Sequence, residues 1–171
     1  MGDNRIPIQR SNKFFSEEDF QLEQEFGREY MQDINMTAIL YRVNKETTDT
    51  DDLYGEVKKD AIKFFPPVEI QCVATIEEAE NKSYNNNGSM RHLEPGSLIL
   101  DIFQQHLDEL CVDVSYGDYF GYAVDETTLR FYTVVNDGKV NYDNTNTIGG
   151  YKPAYRQITC IVTDESEFTG T

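Results

Sequence analysis

The sequence predicts an α+β fold that is predominantly β: a small antiparallel β-barrel or sandwich, led by an N-terminal amphipathic helix and carrying long polar loops. Three observations predict it. Apolar residues keep a helical period from Phe20 to Ile34 and a period of two from Thr37 onward. The period-two stretches are short and separated by turn signals. The chain has 171 residues, 39% of them hydrophobic and 12% aromatic, which suits one core despite a mean hydropathy of -0.59. The expected organisation is a flexible arm over 1–15, a single β-rich domain over 16–168 and a short tail at 169–171.

The arm is polar, contains Pro7, and sets Arg5, Arg10 and Lys13 against Asp3. It is either a frayed terminus or a basic arm that docks on an acidic neighbour. Ser16 opens the helix, expected over 16–34. Ser16 and Asp19 form a short-armed capping box, and Phe15 and Phe20 stand at staple positions. Glu17, Glu18 and Asp19 suit the positive end of the helix dipole. Leu22, Phe26 and Tyr30 follow at i+4 spacing with Met31 and Ile34 beside them, a stripe made to lie against the domain or a neighbouring subunit. Gly27 weakens the middle slightly.

Thr37–Val43 reads as a strand, and Thr47–Glu56 as an acidic turn region. After Pro66 and Pro67, the alternation of Val68, Ile70, Cys72, Ala74 and Ile76 with polar or smaller residues predicts one long strand with an apolar face. Glu77–Pro95 is a long polar excursion with an asparagine run, either disordered or shaped by a partner. Leu98–Phe103 turns apolar again, and Phe103–Leu110 suits a short helix. Tyr119–Val124 and Leu129–Val135 form a hairpin. Asp137-Gly138 marks a tight turn into Val140–Tyr142, read as a strand. A glycine- and asparagine-rich loop follows, and Arg156–Thr163 closes the domain with Ile158, Cys160 and Val162 on one face.

The net charge of -16 and a pI near 4.4 argue against a grip on nucleic acid, since phosphate binding needs clustered Lys and Arg. The same charge suits plain solubility, or a wall past which DNA slides without sticking. Cys72, Cys111 and Cys160 sit among apolar neighbours, without ligand-like pairing, and read as buried reduced thiols of a reducing cytoplasm. The first ten residues lack the apolar run of a signal peptide, and no stretch reaches the roughly 18 apolar residues of a membrane span.

Little in the sequence points to catalysis. His92 and His106 belong to no metal or base motif and read as surface residues. A Cys–His nucleophile needs a reactive thiol, whereas the cysteines occupy strand-core positions, where a thiol is inert. Phosphate-loop, dinucleotide and nucleophile-elbow glycine patterns are absent. Asp49, Asp51, Asp52 and Glu56 could attract a cation such as calcium, but lack EF-hand spacing, and a solvated turn is the simpler reading. No catalytic residue, metal or cofactor is expected. The Asn81 and Asn87 glycosylation patterns have no meaning without a secretory route.

The order of the pieces carries more than any motif. The acidic helix leads into Ile39-Leu40-Tyr41-Arg42-Val43; then come Asp52-Leu53-Tyr54-Gly55-Glu56 and the long strand. Tyr116-Gly117-Asp118-Tyr119 opens a strand whose partner is Leu129-Arg130-Phe131-Tyr132-Thr133-Val134. After Gly149-Gly150, Tyr155-Arg156-Gln157-Ile158 begins the last strand. Over residues 30–168 this succession resembles the neck (head-completion or head-closure) proteins of contractile-tailed, T-even-like bacteriophages. The chain departs from some of them in being short and in its asparagine-rich loop.

The resemblance implies a non-enzymatic virion protein of the neck, assembled in the host cytoplasm. It implies homo-oligomeric rings, commonly sixfold, between a portal or head-completion protein above and a tail terminator or tail proteins below. Genomic DNA would pass through the lumen without specific binding, and no membrane or cofactor would be involved. Closed rings need heterologous contacts, for which arm, helix and loops are natural devices. Interface residues are expected by region: Phe14, Phe15, Phe20 and Tyr30 in the arm and helix, Tyr84 and Met90 in one polar loop, Ile148 and Tyr151 in another. Each could instead fold back on its own domain. The alternatives are another tail component (tail terminator or baseplate subunit), a small ligand- or cation-binding module centred on Asp49–Glu56, and an uncharacterised enzyme.

Overall fold

The computed structural model describes residues 16–48, 62–83, 91–94, 96–125, 127–144, 151 and 153–163. The Asp49–Glu56 cluster and the expected interface residues Phe14, Phe15, Tyr84, Met90 and Ile148 lie outside the described residues, as do the arm over 1–15 and the tail over 169–171.

Helix α1 runs Glu17–Ile34. Its start is held reciprocally: Ser16 Oγ accepts from the Asp19 backbone N–H at 3.2 Å, and Asp19 Oδ2 accepts from the Ser16 backbone N–H at 2.8 Å. A short Asp side chain therefore completes the capping box usually closed by Glu. Asn35 ends the helix in the left-handed region (φ 49°), its N–H donating to the Met31 carbonyl.

Among the described residues nine strands follow, seven of them in one antiparallel sheet. These are β1 (Thr37–Tyr41), β2 (Val68–Gln71), β3 (Val73–Glu77), β6 (Ser97–Phe103), β7 (Tyr119–Ala123), β8 (Leu129–Asn136) and β9 (Tyr155–Val162), in the order β2-β1-β7-β8-β9-β6-β3. The fold is α+β and mostly β, as the periods predict. The remaining two, β4 (Glu80–Ser83) and β5 (Arg91–Glu94), form a separate ribbon. The polar excursion of Glu77–Pro95 therefore carries paired strands, an ordering its composition does not announce.

The expected single strand over 68–76 is the main correction. Its halves are β2 and β3, and they stand at opposite ends of the sheet order. β2 pairs with β1 and β3 pairs with β6; between them the Cys72 N–H donates to Met36 O at 3.0 Å, one residue further along the β1–β2 register, before Val73 takes up β6. One continuous run thus ties both edges together, so the sheet must curl. The ladder is not closed into a barrel. The arrangement is sandwich-like, with a corner strand that changes neighbours.

The core fills the inner face of this curl. Alternate residues supply it: Ala38 and Leu40 of β1, Ile70 of β2, Leu98, Leu100 and Ile102 of β6, Phe120 of β7, Tyr132 and Val134 of β8, and Ile158 and Cys160 of β9. Cys72, Leu107 and Val114 complete it. The opposite face holds the half-buried aromatics Tyr41, Phe64 and Phe131 beside the buried Tyr119. Tyr41 meets Phe131 and Phe64 edge-on at 5.9 and 6.1 Å, and Phe64 meets Tyr119 at 5.7 Å. Gly121 leaves them room, since a Cβ there would lie 3.2 Å from Tyr41 Cε2.

Three local expectations change. The first strand stops at Tyr41, with Val43 forming only an isolated bridge to Phe64. Val140–Tyr142 belongs to a short helix, α3 (Lys139–Asn144). There Asn136 Oδ1 accepts from Gly138 N–H and Asp137 Oδ1 from Lys139 N–H, a pair of Asx turns that winds the chain into a helix. Cys111 is exposed where burial was expected. It follows α2 (Gln104–Glu109) at φ 52°, where Val112 N–H donates to Leu107 O and Cys111 N–H to Asp108 O. That is a Schellman ending, with cysteine at the left-handed position glycine usually fills.

Candidate interaction surface

The two apolar stripes of α1 have different fates. The inner one is Phe20, Gly27 and Met31, all buried. Phe20 stacks on Tyr151 with ring centres 4.2 Å apart and planes 17° from parallel. Gly27 sits under Tyr155, whose hydroxyl donates to the Gly27 carbonyl at 3.3 Å. A Cβ at Gly27 would lie 2.9 Å from the Tyr155 hydroxyl oxygen and 3.3 Å from Phe103. The glycine therefore permits a close approach of helix to sheet end, at the usual small cost in helix propensity. Arg28 pairs with Glu109 of α2 alongside.

The outer stripe is Leu22, Phe26 and Tyr30, which are 49%, 59% and 55% exposed. These are the i+4 residues of the expected apolar face, and the domain leaves them uncovered. The helical period sets Glu18, Glu25 and Glu29 along one border and Asp19 and Glu23 along the other. All five are exposed, and Arg28 is the only basic residue in the helix. The result is an apolar ridge between carboxylates.

Of the expected interface residues that are described, Tyr30 is therefore open, whereas Phe20 and Tyr151 cover each other inside the chain. Leu22 and Phe26, read only as part of the helix stripe, belong with Tyr30. Their common spacing in sequence was the available signal.

Two other places gather polar groups. Arg156 is buried on β9, and its guanidinium donates to Asp113 Oδ1 at 2.8 Å, Val114 O at 2.8 Å and Asp137 O at 2.5 Å. Lys139 reaches the other Asp113 oxygen at 2.8 Å. Burial would raise the Asp113 carboxyl, but hydrogen bonds and charge from Arg156 and Lys139 outweigh it and hold the group below its usual range. This network fastens the turn after β8 and the segment before β7 onto β9.

Asp118, just ahead of β7, is also buried. Its carboxylate accepts from Val43 N–H at 3.0 Å and Ser115 N–H at 2.8 Å. Burial raises its pKa against these bonds and the charges of Lys45 and Arg42. It lies at the floor of a shallow groove of about 360 Å³ edged by Arg42, Lys45, Glu46 and Phe65. Arg42 lies over the Phe65 ring, 5.1 Å from its centre.

His106 lies in a smaller cleft between α1 and α2, with Nε2 accepting from the Gln71 N–H at 3.3 Å. It thus caps an edge-strand donor. His92 falls on β5, in the separate ribbon. Cys72 and Cys160 are core thiols, each pushed up to about 12 by burial, for Cys160 with a further contribution from Cys72. Among the described residues, no group of three or more His, Cys, Asp and Glu is placed to hold a metal ion, and no helix is long and apolar enough to cross a membrane. Compared with known proteins, the chain matches no family model, no curated protein and no solved structure.

Proposed function

We propose that this chain is a non-catalytic structural subunit whose outer helix face is covered by a neighbouring copy, and that it builds a ring in the neck of a contractile-tailed bacteriophage. The observation that carries the docking part is the Leu22–Phe26–Tyr30 ridge. Large apolar side chains aligned on one exposed face mark a contact surface more often than scattered ones do. Aromatic residues are also the usual anchors of such contacts. The neck assignment rests on the order of sequence pieces from Ile39 to Ile158.

In that role the ring joins the portal or head-completion complex to the tail, closes the filled head and lets DNA through. A net charge of -16 suits a lumen that DNA crosses without adhering. Negative-stain imaging of the purified chain tests this reading. Closed rings, sixfold in the reading favoured here, that bind isolated tails or filled heads support it. A monomer at every concentration, binding neither, contradicts it.

A further inference from the structure

We infer that the outer face of α1 takes the segment 1–15 of a second copy of this chain, the basic segment lying along the acidic-bordered ridge of its neighbour. The inference rests on the ring reading above and adds the identity of the contact. Charge complementarity points to this occupant. The ridge of Leu22, Phe26 and Tyr30 is bordered by exposed Glu18, Glu25 and Glu29, and the one cation of the helix, Arg28, is already paired with Glu109. In a chain of charge -16, residues 1–15 reverse the local sign, with Arg5, Arg10 and Lys13 against Asp3, and they bring Ile6 and Ile8 for an apolar ridge.

Reach is sufficient. Fifteen extended residues span up to about 50 Å, whereas an 18-residue helix is about 27 Å long. In a head-to-tail ring each copy offers one such segment and one such face, so the contacts close with none left over.

The test uses the full chain carrying the photo-crosslinker p-benzoylphenylalanine in place of Ile8. Ordinary and ¹⁵N-labelled copies are mixed, assembled and irradiated, and the joined peptides are sequenced by mass. Mixed-isotope crosslinks from position 8 to residues 18–30 support the inference. Rings whose crosslinks fall elsewhere, or join only peptides of one isotope, overturn it and leave the ring reading standing; a chain that never assembles overturns both.

A charge exchange gives a second readout. Arg5→Glu/Arg10→Glu/Lys13→Glu should raise the assembly midpoint concentration at least tenfold, as should Glu18→Lys/Glu25→Lys/Glu29→Lys. Both sets in one chain should restore it, and failure to restore assembly in a chain with unchanged helix content counts against the pairing.

Discussion

The inner and outer stripes of α1 are built from similar residues and do opposite things. Phe20 and Met31 are buried and Gly27 lets two aromatic rings press against the backbone; Leu22, Phe26 and Tyr30, a third of a turn away, face outward. Hydrophobicity alone does not separate them. The inner stripe is chosen by Tyr151, Tyr155 and Phe103, which arrive from distant parts of the chain. A helix with two apolar stripes holds its own domain with one and has the other available for a neighbour.

That contrast is broken most sharply from the inside. Met31→Ala should remove about 2–4 kcal/mol of stability, as truncations of buried Met, Leu and Ile do, read as a lower urea midpoint. Gly27→Leu should remove about 1–3 kcal/mol by overpacking against Tyr155 and Phe103, visible as a lost near-ultraviolet tyrosine signal when the helix lifts. Tyr30→Ala should leave the midpoint within about 0.5 kcal/mol, the range of ordinary surface changes, while weakening self-association. Equal losses of stability at Tyr30 and Met31 would mean that the two stripes are not distinct.

The other predictions concern the body that α1 docks on. Cys111→Gly should stabilise by up to about 1 kcal/mol, because glycine takes the left-handed conformation without the side-chain penalty, measured by thermal melting. At neutral pH the native chain should take up one maleimide, at Cys111, since Cys72 and Cys160 are buried thiols pushed up to about 12. Unfolding should open all three.

For Asp113 the folded carboxyl is held below the usual 3.8. Its contribution is therefore present above 3.8 and lost as the pH falls through the lower folded value. Asp113→Asn should flatten that part of the acid unfolding curve. Asp118 has the opposite sign: its raised pKa favours the folded state most when protonated, and this gain fades as pH rises through the raised value. An acid limb unchanged by Asp113→Asn would remove the Arg156 network from the account.

Much of this architecture is legible from local pattern. The capping box of Ser16 and Asp19 sets the start of α1 correctly, and the apolar face read in β9 puts Ile158 and Cys160 in the core, although Val162 on that face is exposed. What escapes is decided by partners far away in sequence. The alternation of Val68 to Ile76 runs unbroken through Cys72, so the change of neighbours leaves no mark in the period. Val140–Tyr142 is too short for its period to tell strand from helix, and the side chains of Asn136 and Asp137 settle it. Cys111 has apolar neighbours on both sides, yet the helix ending turns it outward.

The candidate surface was legible as a set of residues but not as a surface. Leu22, Phe26 and Tyr30 are evident at i+4 spacing, while their exposure follows from how Phe20 meets Tyr151 and Gly27 meets Tyr155. Phe20 and Tyr151 show the converse: both were expected at an interface, Phe20 on the helix and Tyr151 in a polar loop, and each is the other's cover.

The most direct measurement is native mass spectrometry of the full chain beside Leu22→Ala/Phe26→Ala/Tyr30→Ala, with thermal melts of both. Closed oligomers are expected for the parent chain, monomers for the triple variant, and melting temperatures that agree once the parent is diluted to monomer. A triple variant that assembles as the parent does, or a parent that stays monomeric throughout, would contradict this.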